Sequence, residues 1–210
     1  MKDLLKLLIS LGLVCAIGGA LLVWVNQTTL QPRADAKRNA LNANLLLVLP
    51  KGVDAAFDDE TMAFDGVVFH RAYMSDGQLA ALVVETSGRG FGGEISALVG
   101  IDPASGKIRR VVVTEHTETP GLGSQATDRK ERKSFWRKSE IADGELPPND
   151  YLDKFAERDA SPFKLGAPTP EKPQCVQGVS GATYSSKGVL AAVNRACEAY
   201  QAHKMELIAR

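Results

Sequence analysis

Cysteine is scarce in this chain, and the three present, Cys15, Cys175 and Cys197, stand far apart. No C-x-x-C pair exists, which argues against an iron–sulfur cluster or a Cys-rich zinc site. Histidine is equally scarce, and His70, His116 and His203 show no metal-ligand spacing. No metal site is therefore expected, and no catalytic residue is singled out. Any redox chemistry would have to be carried by an organic cofactor. Net charge is missing too: Lys+Arg and Asp+Glu number 25 each. No global field draws the chain to nucleic acid, and no nucleic-acid partner is expected. Beyond residue 25, no apolar run is long enough to cross a bilayer.

One such run does stand near the N-terminus. Leu7–Val25, LLISLGLVCAIGGALLVWV, carries no charge. At about 1.5 Å per residue it approaches a hydrocarbon core of about 30 Å. Trp24 lies at its end, where an interfacial aromatic would anchor. The run is long for a signal-peptide core and no A-x-A site follows it closely, so an uncleaved anchor in membrane lipid is expected. Lys2 and Lys6 precede the run, and Arg33, Lys37 and Arg38 follow it. These charges do not decide its orientation.

The rest of the chain reads as one soluble domain. QTTLQPRAD looks like a polar link. Ala36–Leu49 reads as a helix with Leu41, Leu45 and Leu49 on one face, closed by Pro50. Asp58, Asp59 and Glu60 read as a solvated turn. VVFHRAY, LAALVVETS, EISALVGID and KIRRVVVTEH are short β-rich runs separated by SDGQ, GRGFGG and PASG, each with turn chemistry. They predict consecutive antiparallel strands. SQATDRKERKSFWRKSE reads as an exposed helix, and ELPPNDY and GAPTPEKPQ as loops. Ser186 to about Leu207 reads as a helix with Val189, Val193, Ala196, Cys197 and Tyr200 at three- and four-residue steps. The fold class is α+β. The expected organisation is an anchor and short link over 1–30, a helix and linker over 31–60, and a domain over 61–210.

Several segments invite a functional reading. Gly88–Gly93 matches G-x-G-x-x-G, but a dinucleotide fingerprint must open a helix, and the EISALVGIDPASG after it reads as strand and turn. A glycine-rich hairpin, or close backbone approach to a flat ligand, fits better. The basic run Asp128–Lys138 reads as a solvated face, or as contact with a partner subunit or lipid. If the domain lies outside the cytoplasm, a disulfide between Cys175 and Cys197 could fix the loop onto the last helix; two buried free thiols are the alternative.

HTETPGLG, His116–Gly123, begins where a strand ends and combines an imidazole, the Glu118 carboxylate and the Thr119 hydroxyl with two turn-forming glycines. VSGATYSS, residues 179–186, precedes the last helix. Ser185 or Ser186 reads as its N-cap, and Gly181 as the preceding turn. Thr183 is left unencumbered by Gly181 and Ala182. A phosphate esterified there would meet the free N–H groups and positive end of the helix dipole.

VSGATYSS and HTETPGLG together, behind one N-terminal span, resemble the FMN-binding G subunits of Rnf electron-transport complexes, relatives of the C subunit of the sodium-pumping NADH:quinone reductase. The resemblance covers nearly the whole chain. It implies an FMN-binding domain, with FMN held covalently through its phosphate on Thr183 by a separate flavin transferase that uses FAD. It implies Ser180, Gly181, Ala182, Ser185 and Ser186 around the phosphate. Glu118, Thr119, Gly121 and Leu122 would bound the ring or ribityl chain. It further implies an electron-carrying role between ferredoxin and NAD+ in an ion-translocating complex, with the other Rnf subunits as partners and the domain on the extracytoplasmic face of the inner membrane. A C-type quinone-reductase subunit and a membrane-anchored binding module without redox activity are the alternatives.

Overall fold

The computed structural model describes residues 2–49, 55–58, 60–129 and 146–208. Two compact units divide the chain, Met1–Ala43 and Asn44–Arg210. The first consists of helix. Helix α1 spans Lys2–Val48 without a break. By length and composition it is long and apolar enough to cross a membrane. Ile9, Leu13, Ile17, Leu21 and Trp24 are exposed on it, the distribution expected of a helix whose surroundings are lipid rather than protein.

The polar link expected after the span is helical instead. Pro32 removes one backbone donor, yet the helix runs through it. The hydroxyls of Thr28 and Thr29 fold back onto carbonyls of the preceding turn, at Trp24, Val25 and Asn26. Both threonines thus satisfy themselves within the helix rather than ending it.

The second unit is built on an antiparallel sheet. Strands β3 (Val67–Met74), β4 (Leu79–Arg89), β5 (Glu94–Ile101) and β6 (Ile108–Glu115) form a meander. Two short strands, β1 (Ala55–Phe57) and β2 (Met62–Phe64), both pair with β3 and complete its outer edge. The connections fall where the turn residues stand. Gly77 and Gly106 take φ of +82° and +70°, values that glycine tolerates at no steric cost.

Helix α3, Thr183–Ile208, lies across β4 and β5. Its face Val189, Val193, Ala196, Cys197 and Tyr200 is buried against Phe69, Leu82, Val84, Ile95 and Val99. Alternation along the strands sends these residues to one side of the sheet. Leu45 and Val48, at the end of α1, are also buried, and the Arg110 guanidinium donates to the Leu47 carbonyl at 2.7 Å.

One contact fixes how closely α3 approaches the sheet. A Cβ added to Gly88 would sit 2.1 Å from the Gly188 carbonyl oxygen, and one added to Gly188 would sit 2.8 Å from Gly90 Cα. Two glycines let strand and helix backbones touch. The close approach expected of this glycine-rich segment is therefore to the protein's own helix. No helix follows Gly93; β5 does.

Two further expectations change. The helix from Ser124 is described only as α2, Ser124–Thr127; the basic stretch from residue 130 lies outside the described residues, as do Pro50 and Asp59. Cys175, on the short strand β8 (Cys175–Val176, paired with β7, Lys164–Leu165), and Cys197, on α3, are free thiols rather than a disulfide. Cys197 is fully buried, so helix packing and not cross-linking accounts for it.

Candidate functional site

Three segments from distant parts of the sequence meet at one end of the sheet. They are the β4–β5 turn, the loop after β6 and the start of α3.

The β4–β5 turn is closed by the Gly90 N–H donating to the Gly93 carbonyl at 2.8 Å. The loop after β6 packs against it. Thr117 Oγ1 donates to the Gly92 carbonyl at 2.9 Å, and the Gly92 N–H donates to Glu118 Oε1 at 3.0 Å. Glu118 is buried, and its other oxygen accepts the Ser185 hydroxyl at 2.5 Å. The carboxylate thus ties the turn to the first turn of α3. Both of its oxygens have partners, as buried polar atoms require.

His116 supports this loop from behind. Its Nδ1 accepts the Glu118 N–H at 3.2 Å, so Nε2 carries the proton and donates to Asp128 Oδ1. Further along, the Gly121 N–H donates to Ser124 Oγ at 2.9 Å, and the Ser124 N–H to the Thr119 carbonyl at 3.2 Å.

The start of α3 differs from the expected serine cap. The helix begins at Thr183, and its first internal bond runs from the Ser186 N–H to the Ala182 carbonyl at 2.8 Å. The amides of Thr183, Tyr184 and Ser185 precede that bond and have no partner within the helix. Ser185 and Ser186 do not cap because their hydroxyls are committed elsewhere: Ser185 to Glu118, Ser186 to the Val179 N–H at 3.0 Å. Gly181 has φ +80° with nothing within 4 Å of an added Cβ, so the chain turns sharply and leaves open space beside Thr183.

A cavity of about 210 Å³ lies where the segments meet, lined by Phe91, Glu118, Thr119, Leu122, Gly123 and residues 181–185. It brings together Glu118, Thr119 and Leu122 with Gly181, Ala182, Thr183 and Ser185. Thr183 is exposed on it. Gly121 and Ser180 are exposed but are not among its lining residues. Ser186 is fully buried and turned away, so its side chain supports the Val179 turn and does not reach the cavity. Phe91 and Tyr184 line the cavity although neither motif reading points to them, and Gly123, read only as a turn former, lines it too. Gly123 is needed because any Cβ there would lie 2.4 Å from Glu118 Oε2. A larger cleft of about 420 Å³ at Lys107, Arg158 and Pro173 holds none of the sequence-predicted residues.

The residues suit a phosphorylated ligand with an apolar part. An exposed hydroxyl stands at a helix N-terminus, where phosphate is favoured. Open space lies beside it, and apolar side chains ring the cavity mouth. Among the described residues, no group of three His, Cys, Asp or Glu side chains could hold a metal.

Residues 90–198 match the FMN-binding domain family. Two similar proteins are both named as the G subunit of an ion-translocating oxidoreductase complex. The one from Stutzerimonas stutzeri is 32% identical, covering 90% of this chain and 78% of its own length. The one from Cereibacter sphaeroides is 28% identical, covering 95% and 85%. The crystal structure of Shewanella oneidensis NqrC shares the fold, with a TM-score of 0.50 and 22% identity over 79% of this chain and 73% of that one. The chain carries an FMN-binding domain and belongs to the family of G subunits of ion-translocating oxidoreductase complexes.

Proposed function

We infer that this chain is the membrane-anchored electron carrier of an ion-translocating oxidoreductase complex, and that it holds FMN as a phosphoester on Thr183. A relative from Acetobacterium woodii is named as part of a Na(+)-translocating ferredoxin:NAD(+) oxidoreductase complex, which supports ferredoxin and NAD+ as the terminal partners. The observation that carries the attachment reading is the placement of Thr183. It is the one threonine of the first turn of α3, exposed beside open space and bordering the cavity that Glu118 organises.

Each residue then has a task. The Thr183 hydroxyl is the attachment point and needs no unusual acidity. A flavin transferase would join it to the FMN half of FAD, with AMP leaving and taking up the hydroxyl proton. The three leading amides of α3 would hold the phosphate, and the helix dipole would offset its charge. Ser180 is exposed nearby as a further donor, while Gly181 and Ala182 keep the approach clear. Glu118 fixes the cavity wall through Gly92 and Ser185. Thr119, Leu122 and the Gly121 turn bound the space left for the ring and ribityl chain. When bound, FMN supplies one- and two-electron transfer, and the chain supplies position and electrostatics.

The domain sits on the extracytoplasmic side of the inner membrane in this reading, with α1 as its anchor and other subunits of the complex alongside. A covalent tether there retains a cofactor that the compartment does not make. The test is a denaturing gel viewed under ultraviolet light, loaded with chain co-expressed with a flavin transferase. Fluorescence travelling with the denatured band supports covalent flavin, and a dark band beside a fluorescent control target refutes it.

A further inference from the structure

We propose that Phe91 and Tyr184 form an aromatic wall that holds the isoalloxazine ring of the flavin at Thr183. The proposal rests on the covalent-FMN reading above and adds to it the two residues that fix the ring.

Both side chains are conspicuous. Phe91 is 74% exposed and Tyr184 66%, and both line the same cavity. Single exposed apolar residues are ordinary, but neighbouring exposed aromatics from distant segments mark a binding surface. Their ring centroids are 6.2 Å apart at an interplanar angle of 52°. That spacing is contact distance for two rings, so they make one continuous wall and not a slot.

The backbone forces Phe91 outward. A Cβ at Gly90 would meet Glu118 Oε1 at 2.2 Å, and one at Gly92 would meet the Thr117 carbonyl at 2.1 Å. The turn is pressed against the loop after β6 on both sides of Phe91, and the only large apolar side chain in GRGFGG is left exposed at the cavity rim. Tyr184 is steadied too: Lys187 Nζ lies 5.8 Å from its ring centroid, a cation–π distance. An exposed aromatic held by a rigid turn and another held by a cation are pre-organised for a flat partner.

Size points the same way. The cavity is about 210 Å³, below the range of about 300–1,000 Å³ typical of cofactor pockets. A flavin joined at Thr183 cannot be contained there. It must extend over the rim, where Phe91, Tyr184 and Leu122 supply the apolar surface. One ring edge then stays in the open for electron exchange with a partner.

The experiment uses the full chain in detergent, co-expressed with a flavin transferase, as wild type, Phe91→Ala, Tyr184→Ala and Tyr184→Phe. Intact mass reports flavin loading. Visible circular dichroism, flavin fluorescence anisotropy and acrylamide quenching report how firmly the ring is held. Loaded Phe91→Ala and Tyr184→Ala should each shift the held-to-free ratio of the ring by a factor of roughly 2 to 10, the worth of one aromatic contact. Tyr184→Phe should restore the wild-type signals. Because Tyr184 adjoins the acceptor, a poorly loaded Tyr184→Ala is set aside and Phe91→Ala decides. Full loading with unchanged spectra in Phe91→Ala would overturn the aromatic wall, leave covalent FMN standing and assign the patch to a partner protein. No loading of the wild type, with the transferase active on another target, would overturn both.

Discussion

The Ser185 hydroxyl donates to Glu118 Oε2 at 2.5 Å, joining the first turn of α3 to the loop that succeeds β6. The same carboxylate accepts the Gly92 N–H from the β4–β5 turn. One buried side chain therefore sets the mutual positions of all three segments around the cavity. Glu118→Ala leaves a buried hydroxyl and a backbone N–H without an acceptor and should cost about 3 kcal/mol of stability. Ser185→Ala removes one donor and should cost about 1–2 kcal/mol. Urea unfolding monitored by circular dichroism measures both. Equal, negligible losses would show that the clasp is not structural.

The glycine contact between β4 and α3 predicts a contrast between two glycine-to-alanine changes. Gly88→Ala places a methyl 2.1 Å from the Gly188 carbonyl, with backbone on both sides. It should cost about 3 kcal/mol or more and depress folded yield. Gly181→Ala meets no neighbour and is strained only by its φ of +80°, so its cost should be about 1–2 kcal/mol. Comparable losses from both would refute the assignment of Gly88 to backbone packing.

Legibility in the sequence depends on where a local signal exists. The four strands of the meander are readable because β-branched runs alternate with turn residues at short intervals. The continuity of α1 is not: Pro32 and a polar stretch look like a linker, and nothing local reveals that Thr28 and Thr29 bond back into the helix. The start of α3 is misplaced by a few residues because serine is a good N-cap when its hydroxyl is free. The hydroxyls of Ser185 and Ser186 are taken by Glu118 and Val179, contacts formed only in the tertiary fold. Glu118, Thr119, Leu122 and Thr183 stand out through two motifs, and the fold places them around one cavity. Phe91 is hidden inside a segment whose glycines dominate its reading. Tyr184 is hidden by its neighbour Thr183.

Alkaline pH should destabilise the domain. Burial, with Glu198 adding to it, pushes the Cys197 thiol up to about 12, and burial also raises the Tyr151 phenol. The folded pKa lies above the unfolded one, so the folded state favours the protonated forms. Their contribution is fully present below the unfolded values, about 8.5 for Cys and 10 for Tyr, and is lost as pH rises toward the folded values. Urea midpoints should fall above about pH 9. Consistently, Cys197 should resist a thiol reagent at about pH 8, near the free-thiol pKa, until the chain is denatured, whereas half-buried Cys175 reacts in the native state. A rapidly reacting Cys197 would contradict its burial.

The apolar part of α1 predicts a cost for charge. Ala16→Arg places a guanidinium near the middle of the Leu7–Val25 run, where insertion costs about 2.5–3.5 kcal/mol. Carbonate extraction should move part of the variant from the membrane pellet to the supernatant. An unchanged, fully soluble wild type would show that the helix is not an anchor.

The most direct test is the intact mass of the chain co-expressed with a flavin transferase, compared with Thr183→Ala prepared in the same way. The account predicts a gain of one FMN less one water in the wild type and none in the variant, with both chains folded. An unmodified wild type, with the transferase active on another target, or an equal gain in Thr183→Ala, would contradict attachment at Thr183.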